Sequence, residues 1–224
     1  MSNVIGLTAR PGLEPCWLCH ARVDVRVMFC SRCGALQPPR AATHYERLGV
    51  AAGVDVDREN LDTRYEALRR ILAAERFTAK GLGERSLAAR HREALDEAYQ
   101  VLKDPLSRGR YWLSLNPADT ARAEGPQPAA NDVPVTIQDL PLQAELAEAM
   151  TAQELDLLAQ RAIGTFEDGL MTLLDRLRRQ EWQAATEILA RLDQMEAIMA
   201  QIRQKRVFVT EGPGASQEAP PLKD

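Results

Sequence analysis

Four cysteines, and no others, fall between positions 16 and 33, as Cys16-Trp17-Leu18-Cys19 and Cys30-Ser31-Arg32-Cys33. The pattern C-x2-C-x10-C-x2-C suits a tetrahedral four-thiolate zinc site, because each C-x-x-C turns the backbone so that two thiolates converge on one ion. Gly34, directly after the second pair, allows the tight turn. Between the pairs, Val23, Val25 and Val27 alternate with Asp24 and Arg26, a period of two that predicts a short β-hairpin joining the two knuckles. So small a head has little core of its own and is expected to need the metal to fold.

Other chemistry fits these residues less well. A redox dithiol uses the same unit singly, beside a βαβ pattern that is absent here. Four cysteines close the zinc shell and leave no position for a reactive water, so the metal reads as structural. His20 adjoins the site as a solvent-facing neighbour rather than a fifth ligand. For a nucleic-acid ribbon the head has only Arg10, Arg22, Arg26, Arg32 and Arg40 as cations, and Trp17 and Phe29 as aromatics. A folding staple or protein-docking knob is the better reading. Elsewhere there is no nucleophile, base and orienter set, no phosphate-binding Gly loop and no paired catalytic carboxylates, so no enzyme is expected. His91, between Leu87 and Leu95 on an apolar face, reads as a core histidine, and Trp112 and Trp182 as packing anchors.

The elements that must carry this head are helical. The 224 residues allow one or two domains, and 45% hydrophobic content with only 5% aromatics favours a mainly α fold. A net charge of -4 offers no general attraction to nucleic acid or anionic lipid. No run approaches the roughly eighteen apolar residues of a membrane span, and Met1 to Arg10 has only Val4-Ile5-Gly6-Leu7 where a signal peptide carries more. We therefore expect a soluble, unsecreted chain with neither nucleic acid nor membrane as partner.

Composition shifts divide the chain into a zinc-binding head (1–40), a first helical block (44–116), a Pro- and Ala-rich linker (117–139), a second helical block (140–207) and a disordered tail (208–224). In the first block, Tyr45 to Val50 predicts one short helical turn ended by Gly49. Leu61, Tyr65, Leu68 and Leu72 then mark a helix starting after Asp57. A second long helix starts near Glu84, with Leu87, His91, Leu95, Ala98, Tyr99 and Leu102 on one face, and stops at Asp104-Pro105. The two make an antiparallel helical hairpin. In the second block, Leu158, Ala162, Phe166, Leu170, Leu173 and Leu177 stripe a helix from about Gln153 to Gln180. Ala185, Ile188, Leu192, Met195, Met199 and Ile202 stripe its partner, and Leu142 to Met150 completes a three-helix bundle.

Cys16-Trp17-x-Cys19, Phe29-Cys30-x-x-Cys33 and Ala35-Leu36-Gln37 stand just ahead of a Tyr-x-x-Leu helix. They are followed in order by Asp96-Glu97-Ala98-Tyr99, Leu102, Pro105-Leu106-Ser107-Arg108-Gly109, Tyr111-x-Leu113-x-Leu115 and Glu181-Trp182-x-Ala184-Ala185. This succession, spanning most of the chain, resembles the zinc-bearing members of the HscB family, J-type co-chaperones of iron-sulfur cluster biogenesis. The resemblance implies that the first helical block is a J-like domain docking on a DnaK-type chaperone and stimulating its ATP hydrolysis. It also implies that the C-terminal bundle holds an IscU-type scaffold carrying a nascent cluster, with zinc at Cys16, Cys19, Cys30 and Cys33. A cytoplasmic location is expected for this chain, or a mitochondrial one if the host is eukaryotic, although no clear transit peptide is present.

Two stretches depart from the family pattern. Stimulation depends on a His-Pro-Asp turn between the two long J helices, and here Ala73-Ala74-Glu75 stands in its place. Without Pro there is no fixed φ and no helix stop, so Ala73 to Arg76 are expected to prolong the preceding helix by a turn. Glu75 keeps the charge on a longer, freer side chain. Arg64, Arg69 and Arg70 still offer a basic face to an acidic chaperone surface, a solvated charge face being the alternative. In the bundle, the scaffold-facing segment becomes Thr136-Ile137-Gln138-Asp139-Leu140 followed by Pro141, which is expected to shorten or kink the helix. Ile137 and Leu140 remain as apolar contacts and Glu148 as a polar one, while Gln194 replaces a frequent aromatic. Two functions follow: a co-chaperone or adaptor of iron-sulfur cluster assembly, or a non-stimulating J-like protein acting as a scaffold or regulator of protein assembly.

Overall fold

In the computed structural model, residues 12–116 and 139–211 are described. The expected linker residues 117–138, Ile137 among them, and residues 212–224 lie outside the described residues. The fold is mainly helical, with a single two-stranded sheet among the described residues, and the chain divides into two compact units, 1–108 and 109–224.

In the first unit, Thr43 opens α1 (His44–Leu48). Its hydroxyl accepts from Glu46 N–H while the Glu46 carboxylate accepts from Thr43 N–H, a reciprocal capping box. Gly49 ends the helix at φ 66°, where a side chain would be strained. Asp57 caps α2 (Arg58–Ile71) by accepting from the N–H groups of Glu59 and Asn60. Gly81 precedes α3 (Leu82–Lys103), so this helix starts two residues earlier than Glu84. Tyr65 and Tyr99 stack at 3.9 Å between α2 and α3. The Tyr65 hydroxyl donates to Asp96 and that of Tyr99 to Asp62, which sets the register of the antiparallel hairpin. Leu61, Leu72, Leu95, Ala98, Leu102 and Ala88 are buried, the last missing from the expected face.

The α2–α3 connection departs from expectation. Ala73 to Arg76 do not prolong α2: the helix ends at Ile71, Ala73 is extended at φ -55°, ψ 135°, and Ala74–Phe77 form one turn of 3-10 helix. Leu72 and Phe77 are both buried, yet a continuing helix would place them about 140° apart at 100° per residue. Burying both requires the chain to turn. Arg92 of α3 then donates to the Leu72 carbonyl at 3.0 Å, satisfying one of the groups the helix end leaves open.

The second unit begins within α4 (Pro105–Ser114), a helix that periodicity did not single out, and continues with α5 (Asp139–Glu148), α6 (Ala152–Arg178) and α7 (Trp182–Glu211). Pro141 is the third residue of α5, so its missing N–H costs no intrahelical bond there. Thr151 and Glu154 form a second capping box at α6, and α7 runs four residues past the expected 207. Leu142, Leu146, Leu155, Leu158, Ala162, Met195, Ile198 and Ile202 make one core cluster. Lys205 donates to the carbonyls of Leu146 and Ala147, capping α5 from α7.

Two glycines of α6 give a paired prediction. Around Gly164 a Cβ would meet nothing within 4 Å, so Gly164→Ala is expected to gain the intrinsic helix preference of about 0.8–1 kcal/mol. At Gly169 the same Cβ would stand 2.9 Å from buried Leu192, and overpacking of about 1–3 kcal/mol outweighs that gain. Thermal unfolding should show a raised midpoint for the first variant and a lowered one for the second.

Candidate functional site

The head is built from two knuckles of matching design. Strand β1 (Leu13–Pro15) pairs antiparallel with β2 (Arg22–Asp24), Leu13 opposite Asp24 and Pro15 opposite Arg22. This corrects the expected hairpin: the strands embrace the first C-x-x-C instead of both lying between the pairs. The second knuckle is embraced by the bridge between Phe29 and Leu36. In each, the first cysteine exchanges backbone bonds across the turn: Cys16 N–H to Ala21 and His20 N–H to Cys16, then Cys30 N–H to Ala35 and Gly34 N–H to Cys30. The residue closing each turn is left-handed, His20 at φ 57° and Gly34 at φ 72°. His20 is exposed and is not among the clustered metal-ligand groups. A Cβ on Gly34 would meet nothing within 4 Å, so the cost of Gly34→Ala is backbone strain alone, about 1–2 kcal/mol. Competition with a chelator should show metal affinity reduced about 5- to 30-fold.

The knuckles bring Cys16, Cys19, Cys30 and Cys33 together with all four sulfurs within 4.8 Å of one another. Cys16 and Cys33 Sγ are 3.8 Å apart, and Cys19 and Cys30 Sγ 3.7 Å. Zinc–sulfur bonds near 2.3 Å in a tetrahedron place sulfurs about 3.8 Å apart, so the quartet has the dimensions of such a site. Its electrostatics agree. The backbone N–H of Cys19 leads in lowering Cys16 to about 6, helped by Leu18 N–H and the Gln37 amide. The Cys33 N–H leads in lowering Cys30. Although the Ala35 N–H favours its thiolate, Cys33 is pushed up to about 12 by burial and by sharing protons with the other thiols. The quartet alone resists complete ionisation, and a divalent cation is what lets all four sulfurs be thiolates together. The metal-binding geometry is thus present.

Residues that spacing did not single out tie this centre to the helices. The Trp17 indole N–H donates to Leu36 O at 2.8 Å, and its ring lies against Gly83 at the start of α3. Gln37, buried, donates from Nε2 to Ala35 O at 2.8 Å and to Cys16 Sγ at 3.4 Å. Its own carbonyl accepts from His91 Nε2 at 2.8 Å. His91 is therefore a satisfied core histidine, and burial leads in lowering its pKa. The only sequence signal for Gln37 was its place in Ala35-Leu36-Gln37.

No family model matches the chain. The iron-sulfur cluster co-chaperone protein HscB of Mus musculus is 27% identical over 195 residues, 84% of this chain and 81% of that protein. The co-chaperone protein HscB of Proteus mirabilis (strain HI4320) is 26% identical over 171 residues, 74% of this chain and 97% of that protein. The chain is thus similar to HscB co-chaperones over most of its length. Two solved HscB structures share the fold. Human co-chaperone HscB has a TM-score of 0.69 at 24% identity, covering 87% of this chain and 99% of that one, and HscB from Vibrio cholerae has 0.58 at 21%, covering 75% and 99%.

Of the residues expected to face partners, Ala73, Ala74 and Glu75 form the turn after α2, with Ala74 and Glu75 exposed and Ala73 half-buried. Arg69 and Arg70, in the last turn of α2, are exposed beside it. Arg69 donates to the Tyr65 hydroxyl and Arg70 to the Glu66 carbonyl. Arg64 lies further back on α2, near Gly49, apart from the turn. In the bundle, Leu140 and Glu148 stand at opposite ends of α5, about 12 Å apart along the axis, and Gln194 is exposed on α7. No hydrogen bond or ion pair joins Glu148 to Gln194 among the described residues. No described helix is long and apolar enough to cross a membrane.

Proposed function

We propose that this chain is an HscB-type co-chaperone or adaptor of iron-sulfur cluster assembly, linking a DnaK-type chaperone to an IscU-type scaffold. On this reading it acts on its partners and is not itself an enzyme. Cys16, Cys19, Cys30 and Cys33 would hold zinc, which supplies a rigid, redox-inert crosslink for the head. The chaperone meets the end of α2 through Arg69, Arg70 and the Ala73-Ala74-Glu75 turn, with Arg64 extending the basic surface. The scaffold meets the bundle through Ile137, Leu140, Glu148 and Gln194. The cytoplasm, or the mitochondrion in a eukaryote, is the matching compartment. What supports the reading above all is the order of parts: a four-cysteine head, a J-like hairpin and a three-helix bundle, alongside relatives that match over most of both chains.

Affinity capture with the full chain tests it. Recovery of an IscU-type scaffold is the expected result, and other stable partners without that scaffold would overturn the cluster role. The turn sequence favours a second reading of the same fold, a J-like scaffold or regulator of protein assembly that binds without stimulating.

A further inference from the structure

We infer that Gln37 couples the metal centre to the J-like block, holding a ligand sulfur with its side chain and helix α3 with its backbone. This rests on the reading that the four cysteines bind a metal. Gln37 is only 3% exposed, and its polar atoms are almost fully committed. Its N–H donates to Met28 O at 2.8 Å, its carbonyl accepts from His91 Nε2, and its Nε2 donates to Ala35 O and Cys16 Sγ.

Its Oε1, buried without a partner, shows what sets the orientation. The flipped amide would aim that oxygen at the Ala35 carbonyl and the Cys16 sulfur, neither of which donates once the sulfur is a thiolate. An N–H to sulfur bond is strongest when the sulfur is anionic, the state a bound metal maintains. Metal occupancy therefore holds the Gln37 amide. The bond from Gln37 carbonyl to His91, itself 8% exposed, carries that order into the middle of α3. Coupling of this kind is reciprocal: loosening α3 at His91 must weaken metal binding by the same factor that metal loss loosens α3.

Zinc affinity measured by chelator competition and amide hydrogen exchange on the full chain together test this. Gln37→Leu is expected to bind zinc at least about tenfold more weakly than the parent, the usual loss for a residue behind a metal ligand. His91→Leu, remote from the sulfurs, should weaken zinc severalfold. In the parent, stripping zinc should speed exchange of the α3 amides around His91 at least about tenfold and leave α6 and α7 unchanged. Zinc affinity within twofold of the parent for both variants would overturn the coupling. So would exchange around His91 that ignores zinc, a measurement that stands even if neither variant folds. A parent that binds no zinc at all would instead sink the metal reading on which the coupling rests.

Discussion

Changing Ala73, Ala74 and Glu75 together to His, Pro and Asp is expected to raise stimulation of a DnaK-type chaperone's ATP hydrolysis at least about tenfold over the unaltered chain, close to 1.4 kcal/mol of barrier. The backbone is already suited to the change. Ala73 at φ -55°, ψ 135° has the extended conformation required of a residue preceding proline. Ala74 is the first residue of the 3-10 turn, where a proline forfeits no intrahelical bond and where restricting the unfolded chain adds about 0.4–1 kcal/mol of stability. Arg92 on the Leu72 carbonyl and buried Phe77 hold the turn from outside the tripeptide, so the substitution changes side chains without rebuilding the loop. What the native residues lack is chemistry: two methyl groups cannot hydrogen-bond, and the exposed Glu75 carboxylate sits on a longer side chain than aspartate. A steady-state ATPase assay decides the matter. Full stimulation by the unaltered chain would show that the imidazole and short carboxylate are dispensable here.

Removal of the metal, or Cys30→Ser, should abolish the β1–β2 pairing and the fold of the head. The head's buried cluster is Cys16, Val23, Cys30 and Ala35, with Cys19 and Ala21 against it, so half of its buried residues are themselves ligands and Val23 is its largest aliphatic side chain. Burying one such valine is worth about 1.5–3 kcal/mol, whereas structural zinc in comparable small modules supplies about 10–16 kcal/mol. Among the described residues of the head, buried Leu36 adds about 1.5–3 kcal/mol more, still well short of that loss. NMR spectra should lose amide dispersion over residues 13–36 on chelation and recover it with zinc, while α6 and α7 keep theirs. Lowering the pH acts in the same direction, because every ligand must shed a proton to bind, so affinity falls as protons compete. A head that stays folded after chelation would refute the dependence.

The long helices could be read from sequence because their information is local. Asp57 caps α2 through N–H groups two and three residues away, and the apolar stripes of α6 and α7 repeat within each turn. Where expectation and structure part, the deciding contact is distant. Alternation in Val23, Val25 and Val27 is real, but nothing in it says that Leu13–Pro15 is the pairing partner, since the C-x-x-C reversal brings together the flanks of a knuckle. Likewise Ala73 to Arg76 would suit a helix by propensity alone. They turn because Leu72 and Phe77 must both be buried and because Arg92, twenty residues on, donates to the end of α2.

By itself, the spacing of four cysteines and of the apolar stripes determined that this chain has a four-cysteine head able to hold a metal and helical blocks, since thiolate convergence and helix periodicity depend on neighbours in the chain. Only the tertiary structure decided where the strands pair, how α2 stops without proline, and that Gln37 and His91 bind the head to α3. Those are contacts between residues far apart in sequence, and no local pattern encodes which distant group will arrive.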